Sequence, residues 1–73
     1  MWSMTKLGTA FAQNLRRLRE KAGISQEEVA RQAHLTNGYV SMLERGVRGP
    51  SFDVVEVLAK VFDVNPLNML KEK

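Results

Sequence analysis

The sequence predicts an all-α fold, a compact five-helix domain spanning residues 1–73. Three observations carry the prediction. Apolar residues recur at helical spacing along most of the chain. A capping residue or a glycine stands at each break in that pattern. No low-complexity tract, internal repeat or long linker separates the segments.

In the first segment Phe11, Leu15, Leu18 and Ala22 form one apolar stripe at steps of four, three and four residues. Gly23 follows as a left-handed cap, because glycine enters that conformation without steric cost; a first helix is expected over about 9–22. Ser25 then opens "SQEEVARQA" as an N-cap, with Glu28 three residues on completing a capping box. Val29, Ala30 and Ala33 give the second helix, 26–33, its inner face, and a helix this short needs neighbours to persist. Thr36 caps a third helix, 37–45, held by Val40 and Leu43 and ended by Gly46. "VRGP" is a turn by composition. Ser51 caps a fourth helix, 52–62, whose apolar residues Phe52, Val54, Val55, Val57, Leu58, Ala59, Val61 and Phe62 cover roughly 220° of the helical wheel. Valine abundance would suit a strand, but Asp53, Glu56 and Lys60 recur with helical spacing. Asn65 caps a fifth, short helix over 66–70 with Pro66 at its first position.

Composition removes several function classes. Cysteine is absent, which excludes disulfides and thiolate metal sites, and His34 is the only histidine. Glu27 and Glu28 are adjacent and do not converge on one point, and no nucleophile–base pair is visible. No catalytic residue, metal ligand, cofactor or small-molecule substrate is therefore assigned. The start, "MWSMTKLG", lacks the long apolar core of a secretory signal, and no apolar run would cross a membrane, so a cytoplasmic protein is expected. Net charge is +3, with eight Lys/Arg against four Asp/Glu in residues 1–48 and three against four in residues 49–73. That asymmetry suits a polyanion-binding surface, and equally a solvated helix face.

The pair 26–33 and 37–45 is the sharper signal. Counting Gln26 as first, small or apolar residues fall at Val29 (fourth), Ala30 (fifth), Ala33 (eighth), Leu35 (tenth), Val40 (fifteenth) and Leu43 (eighteenth). Two helices crossing steeply over a short turn need this pattern, with Ala30 small where the second helix passes close. An ordinary helical hairpin need not meet all six constraints.

"GISQEEVARQAHLTNGYVSMLERGVRGPSFDVVEVLAKVFDV" resembles the helix-turn-helix domain of the phage repressor and Cro (XRE) superfamily, over about residues 11–70. "SQEEVA", "YVSMLERG" and "RGPS" are its most specific pieces, and with the small size they most resemble controller proteins of restriction–modification systems. The resemblance implies a five-helix lambda-repressor-like fold, a homodimer, and transcriptional regulation through a near-palindromic operator in double-stranded DNA, with RNA polymerase as a further partner. Two other readings stay open: another stand-alone phage-type repressor, or an antitoxin whose helix-turn-helix domain also binds a toxin. An RNA-binding role would lack stacking aromatics, since only Tyr39 lies on the candidate face.

In such a domain the second helix of the pair enters the major groove. Asn37, Gly38, Ser41 and Met42 are then the candidates for base readout. Asn37 can give and accept hydrogen bonds as adenine's edge demands, and Met42 can pack on a thymine methyl. The plainer alternatives are capping for Asn37 and no role for Met42. Ser25, Gln26, Thr36, Tyr39, Arg45 and Arg48 are the candidates for the phosphate backbone; Gln26 matches the family's phosphate-holding glutamine and opens a helix whose N-terminus favours anions. Tyr39 has plain packing as its alternative. Lys6, Arg16 and Arg17 are peripheral charge. The resemblance further implies a partly buried structural salt bridge between Arg19 and Glu44. Three positions depart from the family's pattern: His34 stands where glycine often makes a left-handed turn, Gly38 where many relatives carry a base-reading side chain, and Asn37 where several controllers carry arginine. The wide apolar arc of the fourth helix exceeds one buried side, so Val61, Val64, Leu67 and Met69 are the expected two-fold interface. Trp2 and Met4 could cover the core or join a partner.

Overall fold

Each helix begins where a side-chain oxygen can replace a missing backbone acceptor. The computed structural model describes residues 5–72, and these form α1 (Lys6–Ala22), α2 (Gln26–Ala33), α3 (Asn37–Arg45), α4 (Phe52–Phe62) and a closing 3₁₀ turn (Pro66–Met69). Ser25 Oγ accepts the Glu28 amide at 3.0 Å, Thr36 Oγ1 the Tyr39 amide at 3.1 Å and Ser51 Oγ the Val54 amide at 3.1 Å. Thr5 does the same for Gly8 at 3.0 Å, so α1 starts at Lys6, three residues before the expected start at 9. The apolar stripe that marks this helix begins only at Phe11, and Gly8 is a weak helix former, so the first turn has no periodic signal. Trp2 and Met4 lie outside the described residues.

The helices stop by a common device. Gly23, His34, Gly46 and Asp63 take left-handed backbone with φ of 72°, 59°, 74° and 56°. In each case the cap amide returns to carbonyls of the last turn. His34 and Asp63 are among the few residue types that tolerate this region. The fifth helix is not an α-helix. Asn65 Oδ1 accepts the Leu67 amide at 2.9 Å, and the amides of Asn68 and Leu70 bond three residues back at 2.8 and 3.1 Å. These three-residue spacings make it a 3₁₀ turn, so the described residues form four α-helices and a 3₁₀ turn rather than five helices.

The core gathers Phe11 and Leu15 of α1, Val29, Ala30 and Ala33 of α2, Val40 and Leu43 of α3, Val55, Leu58 and Ala59 of α4, and Met69. Ala22, at the end of the α1 stripe, is exposed. Met69 is fully buried, so it belongs to the core and is removed from the expected two-fold surface. Val61 and Val64 are half-buried against the core, whereas Leu67 is 70% exposed. One buried polar group ties the chain's end to its first helix: Asn14 Nδ2 donates to the carbonyls of Met69 at 2.9 Å and Lys71 at 2.8 Å, while its Oδ1 accepts from Arg17 at 3.0 Å.

Candidate nucleic-acid interface

The short α2 is pinned between neighbours, and that pinning presents α3. Val29, Ala30 and Ala33 face inward, and the Leu35 amide returns to the Ala30 carbonyl at 2.8 Å, which turns the chain steeply into α3. Val40 and Leu43, both without solvent exposure, then fix the rotation of α3 about its own axis. With those two inward, Asn37, Gly38 and Arg45 lie exposed and Ser41 and Met42 half-buried. Asn37, Ser41 and Arg45 follow each other at helical spacing and so share one face. A shallow groove lined by Ser25, Glu27, Glu28, Ala30, Arg31, Leu35 and Asn37 joins the starts of α2 and α3 on the same side of the domain.

The residues expected at the phosphate backbone divide by what already holds them. Ser25 and Thr36 each use an oxygen lone pair as a cap acceptor, which leaves the hydroxyl proton able to donate outward. Gln26 Nε2 donates to Glu44 Oε1 at 3.0 Å, so one of its two amide protons is committed inside the protein and the second remains. Arg45 is exposed at the end of α3. Arg48, in the turn beyond, lies over the ring of Tyr39 with 5.5 Å between the guanidinium carbon and the ring centroid. Tyr39 itself is half-buried and packs against the core.

Arg19 and Glu44 hold this surface from behind. Arg19 donates from Nε to Glu44 Oε2 at 2.6 Å, from Nη2 to Glu44 Oε1 at 3.1 Å and from Nη1 to the Ile24 carbonyl at 3.0 Å. The side chains are 17% and 4% exposed. The hydrogen bond to Glu44, more than the opposing burial, raises the Arg19 pKa above its already high ordinary value, so the guanidinium stays charged. Together Arg19, Glu44 and Gln26 link the end of α1, the end of α3 and the start of α2.

Glu28 departs from its expected place in a capping box. Ser25 accepts its amide, but the Glu28 carboxylate bonds Arg31, one turn on, and Gln32 at 2.7 Å. A charged guanidinium within reach outcompetes a neutral amide. These bonds, Arg31 first, hold the Glu28 carboxyl down at about 2. The carboxylate is thereby drawn along α2 toward Arg31 and Gln32 on its own face, away from the helix's first amides. Gln26–Glu44, Tyr39–Arg48 and the bonds of Asn14 to Met69 and Lys71 lie outside what the sequence pattern predicts, since each pair is separated by more than two helical turns of chain. Among the described residues no cluster of acidic or histidine side chains could hold a metal ion, and no helix is long and apolar enough to cross a membrane.

A helix-turn-helix family model matches residues 15–67. The chain is 38% identical over 61 residues to the control protein C.BamHI of Bacillus amyloliquefaciens, covering 82% of this chain and 75% of that protein. Its fold is similar to that of the restriction–modification controller protein C.AhdI of Aeromonas hydrophila, with a TM-score of 0.81, 37% identity, and coverage of 85% of this chain and 94% of that one. It is also similar to the N-terminal DNA-binding domain of SinR from Bacillus subtilis, with a TM-score of 0.80, 31% identity, and coverage of 86% and 93%. The chain thus belongs to the helix-turn-helix family of XRE-type DNA-binding transcriptional regulators, with moderate similarity to restriction–modification controller proteins.

Proposed function

We propose that this regulator acts as a homodimer on a near-palindromic operator and serves as the controller of a restriction–modification system. The observation that carries the reading is the exposed start of α3, flanked by two outward cap hydroxyls and by Arg45 and Arg48. Asn37 is the principal base reader, with Ser41 and Met42 adding weaker contacts and Gly38 admitting the DNA backbone closely. Ser25, Gln26, Thr36, Tyr39, Arg45 and Arg48 hold phosphates and carry most of the affinity.

Size supports the dimer. The domain measures 26 × 23 × 21 Å. Successive major grooves on one face of DNA lie about 34 Å apart, so one copy reaches one half-site and a palindrome needs two. Leu67, 70% exposed within the 3₁₀ turn, is the leading contact, with Val61 and Val64 contributing from their half-buried positions. RNA polymerase is a partner where the bound dimer activates.

The controller reading is tested by footprinting the DNA flanking the gene that encodes this chain. A symmetric protected site upstream of an adjacent restriction endonuclease gene supports it. Protection with no endonuclease or methyltransferase gene nearby favours a stand-alone repressor. A neighbouring toxin gene whose product co-purifies with the chain favours the antitoxin reading.

A further inference from the structure

We propose that Tyr39 is a positioning residue for Arg48: its ring face holds the guanidinium beside the first turn of α3, so that Arg48 meets a DNA phosphate already oriented. The inference rests on the DNA-binding reading of this face and adds a coupling between two residues otherwise treated as separate contacts.

The pair is built from unlike parts. Tyr39 is the third residue of α3, and its ring is half-buried against the core, so its exposed face is fixed with the helix. Arg48 belongs to the exposed turn after Gly46, where the Val47 amide returns to the Met42 carbonyl at 3.2 Å and folds the turn back along α3. An arginine on such a turn has many rotamers and would lose that freedom on meeting DNA. Stacking 5.5 Å from the ring centroid removes part of the freedom in advance.

The chemistry of the guanidinium makes the two contacts compatible. Its attraction to the ring uses the flat face, while its N–H donors lie in the plane and point outward. The three ion pairs of the described residues join Arg16 to Glu20, Arg19 to Glu44 and Arg31 to Glu28, so no carboxylate among those residues competes for Arg48. The donors therefore remain for a phosphate, whose two oxygens match their fork.

A double-mutant cycle on a selected operator duplex tests the coupling, with Tyr39→Leu, Tyr39→Phe, Arg48→Ala and the combination of Tyr39→Leu with Arg48→Ala. An exposed stack of this kind predicts a coupling of about two- to fivefold in affinity per half-site. The effect of Tyr39→Leu should shrink by that factor when Arg48 is already absent. Tyr39→Phe should keep the coupling while losing whatever the hydroxyl contributes. In the free protein, Arg48 side-chain protons should show ring-current shifts that survive Tyr39→Phe and vanish in Tyr39→Leu, with thermal unfolding confirming that each variant folds. Additive losses with normal wild-type binding would overturn the positioning role alone, as would the absence of ring-current shifts. A wild type that binds no duplex would overturn both this proposal and the DNA-binding reading beneath it.

Discussion

Replacing Arg19 with alanine should destabilise the domain more than any surface charge substitution. The variant removes two hydrogen bonds to Glu44, at 2.6 and 3.1 Å, and one to the Ile24 carbonyl at 3.0 Å. Glu44, whose side chain is 4% exposed with Arg19 in place, then keeps Gln26 as its remaining donor at 3.0 Å. Removing one partner of a buried ion pair costs roughly 3–5 kcal/mol. Arg19 is 17% exposed and Gln26 still supports the carboxylate, so the lower end, about 3 kcal/mol, is expected. A chain of 73 residues has a total stability of roughly 4–11 kcal/mol at the usual value per residue, so the loss is a large share of it. Urea unfolding followed by circular dichroism should show a lowered midpoint with an unchanged slope. Replacing both partners by apolar residues, Arg19→Met with Glu44→Leu, should recover most of the loss, because no buried charge is stranded. A cost below about 1 kcal/mol for Arg19→Ala, the range of exposed pairs, would refute the reasoning. The raised Arg19 pKa keeps this contribution complete at neutral and mildly alkaline pH, and it is lost only as pH rises through the folded value.

Gly38→Ala should separate stability from binding. A Cβ at Gly38 meets nothing within 4 Å, so alanine should stabilise α3 by about 0.5–1 kcal/mol in thermal unfolding. If the backbone of Gly38 lies against DNA, the same methyl weakens operator binding, and unchanged or tighter binding would remove that contact from the account. Asn14→Ala deprives the carbonyls of Met69 and Lys71 of their donor and should cost about 1–3 kcal/mol by urea unfolding. Glu28 should titrate near 2 rather than its ordinary 4.5 by NMR. A depressed carboxyl contributes stability above about 4.5 that is lost as pH falls toward 2, and because its partner Arg31 is largely exposed, salt should move the midpoint back up.

Where local chemistry decided the structure, it could be read in the chain. Ser25, Thr36 and Ser51 each combine a cap oxygen with an inward apolar face that starts within the next turn, and α2, α3 and α4 span the residues expected for them. The start of α1 was missed because Thr5 caps a turn that carries Leu7, 60% exposed, and Gly8 before the apolar stripe begins. The last element, expected as a short helix over 66–70, is a 3₁₀ turn over Pro66–Met69, because a cap and Pro66 announce a beginning without saying which hydrogen-bond pattern follows. Met69 lies in a short polar-flanked segment, and its burial depends on α1 and α4 closing over it. Glu28 has the Ser25 amide and the Arg31 guanidinium both within one turn, and its carboxylate pairs with the charged group. The long-range contacts carry no local signature: Asn14 reaches residues 55 and 57 positions away, and Gln26 reaches Glu44 across 18. Their residue types suit the helix surface as well as the roles they fill.

The exposed start of α3 is proposed to read DNA, with Asn37 as its main specifying side chain. Selecting bound duplexes from random DNA with the wild type, with Asn37→Ala and with Arg48→Ala tests it most directly. The account predicts a two-fold symmetric motif for the wild type. Asn37→Ala should relax the preference at one base pair of each half-site, at a cost of about 1–3 kcal/mol there, and Arg48→Ala should weaken all sequences alike without changing the motif. No enriched motif, or an asymmetric one, would contradict the account, and an unchanged motif for Asn37→Ala would contradict its assignment of the reader.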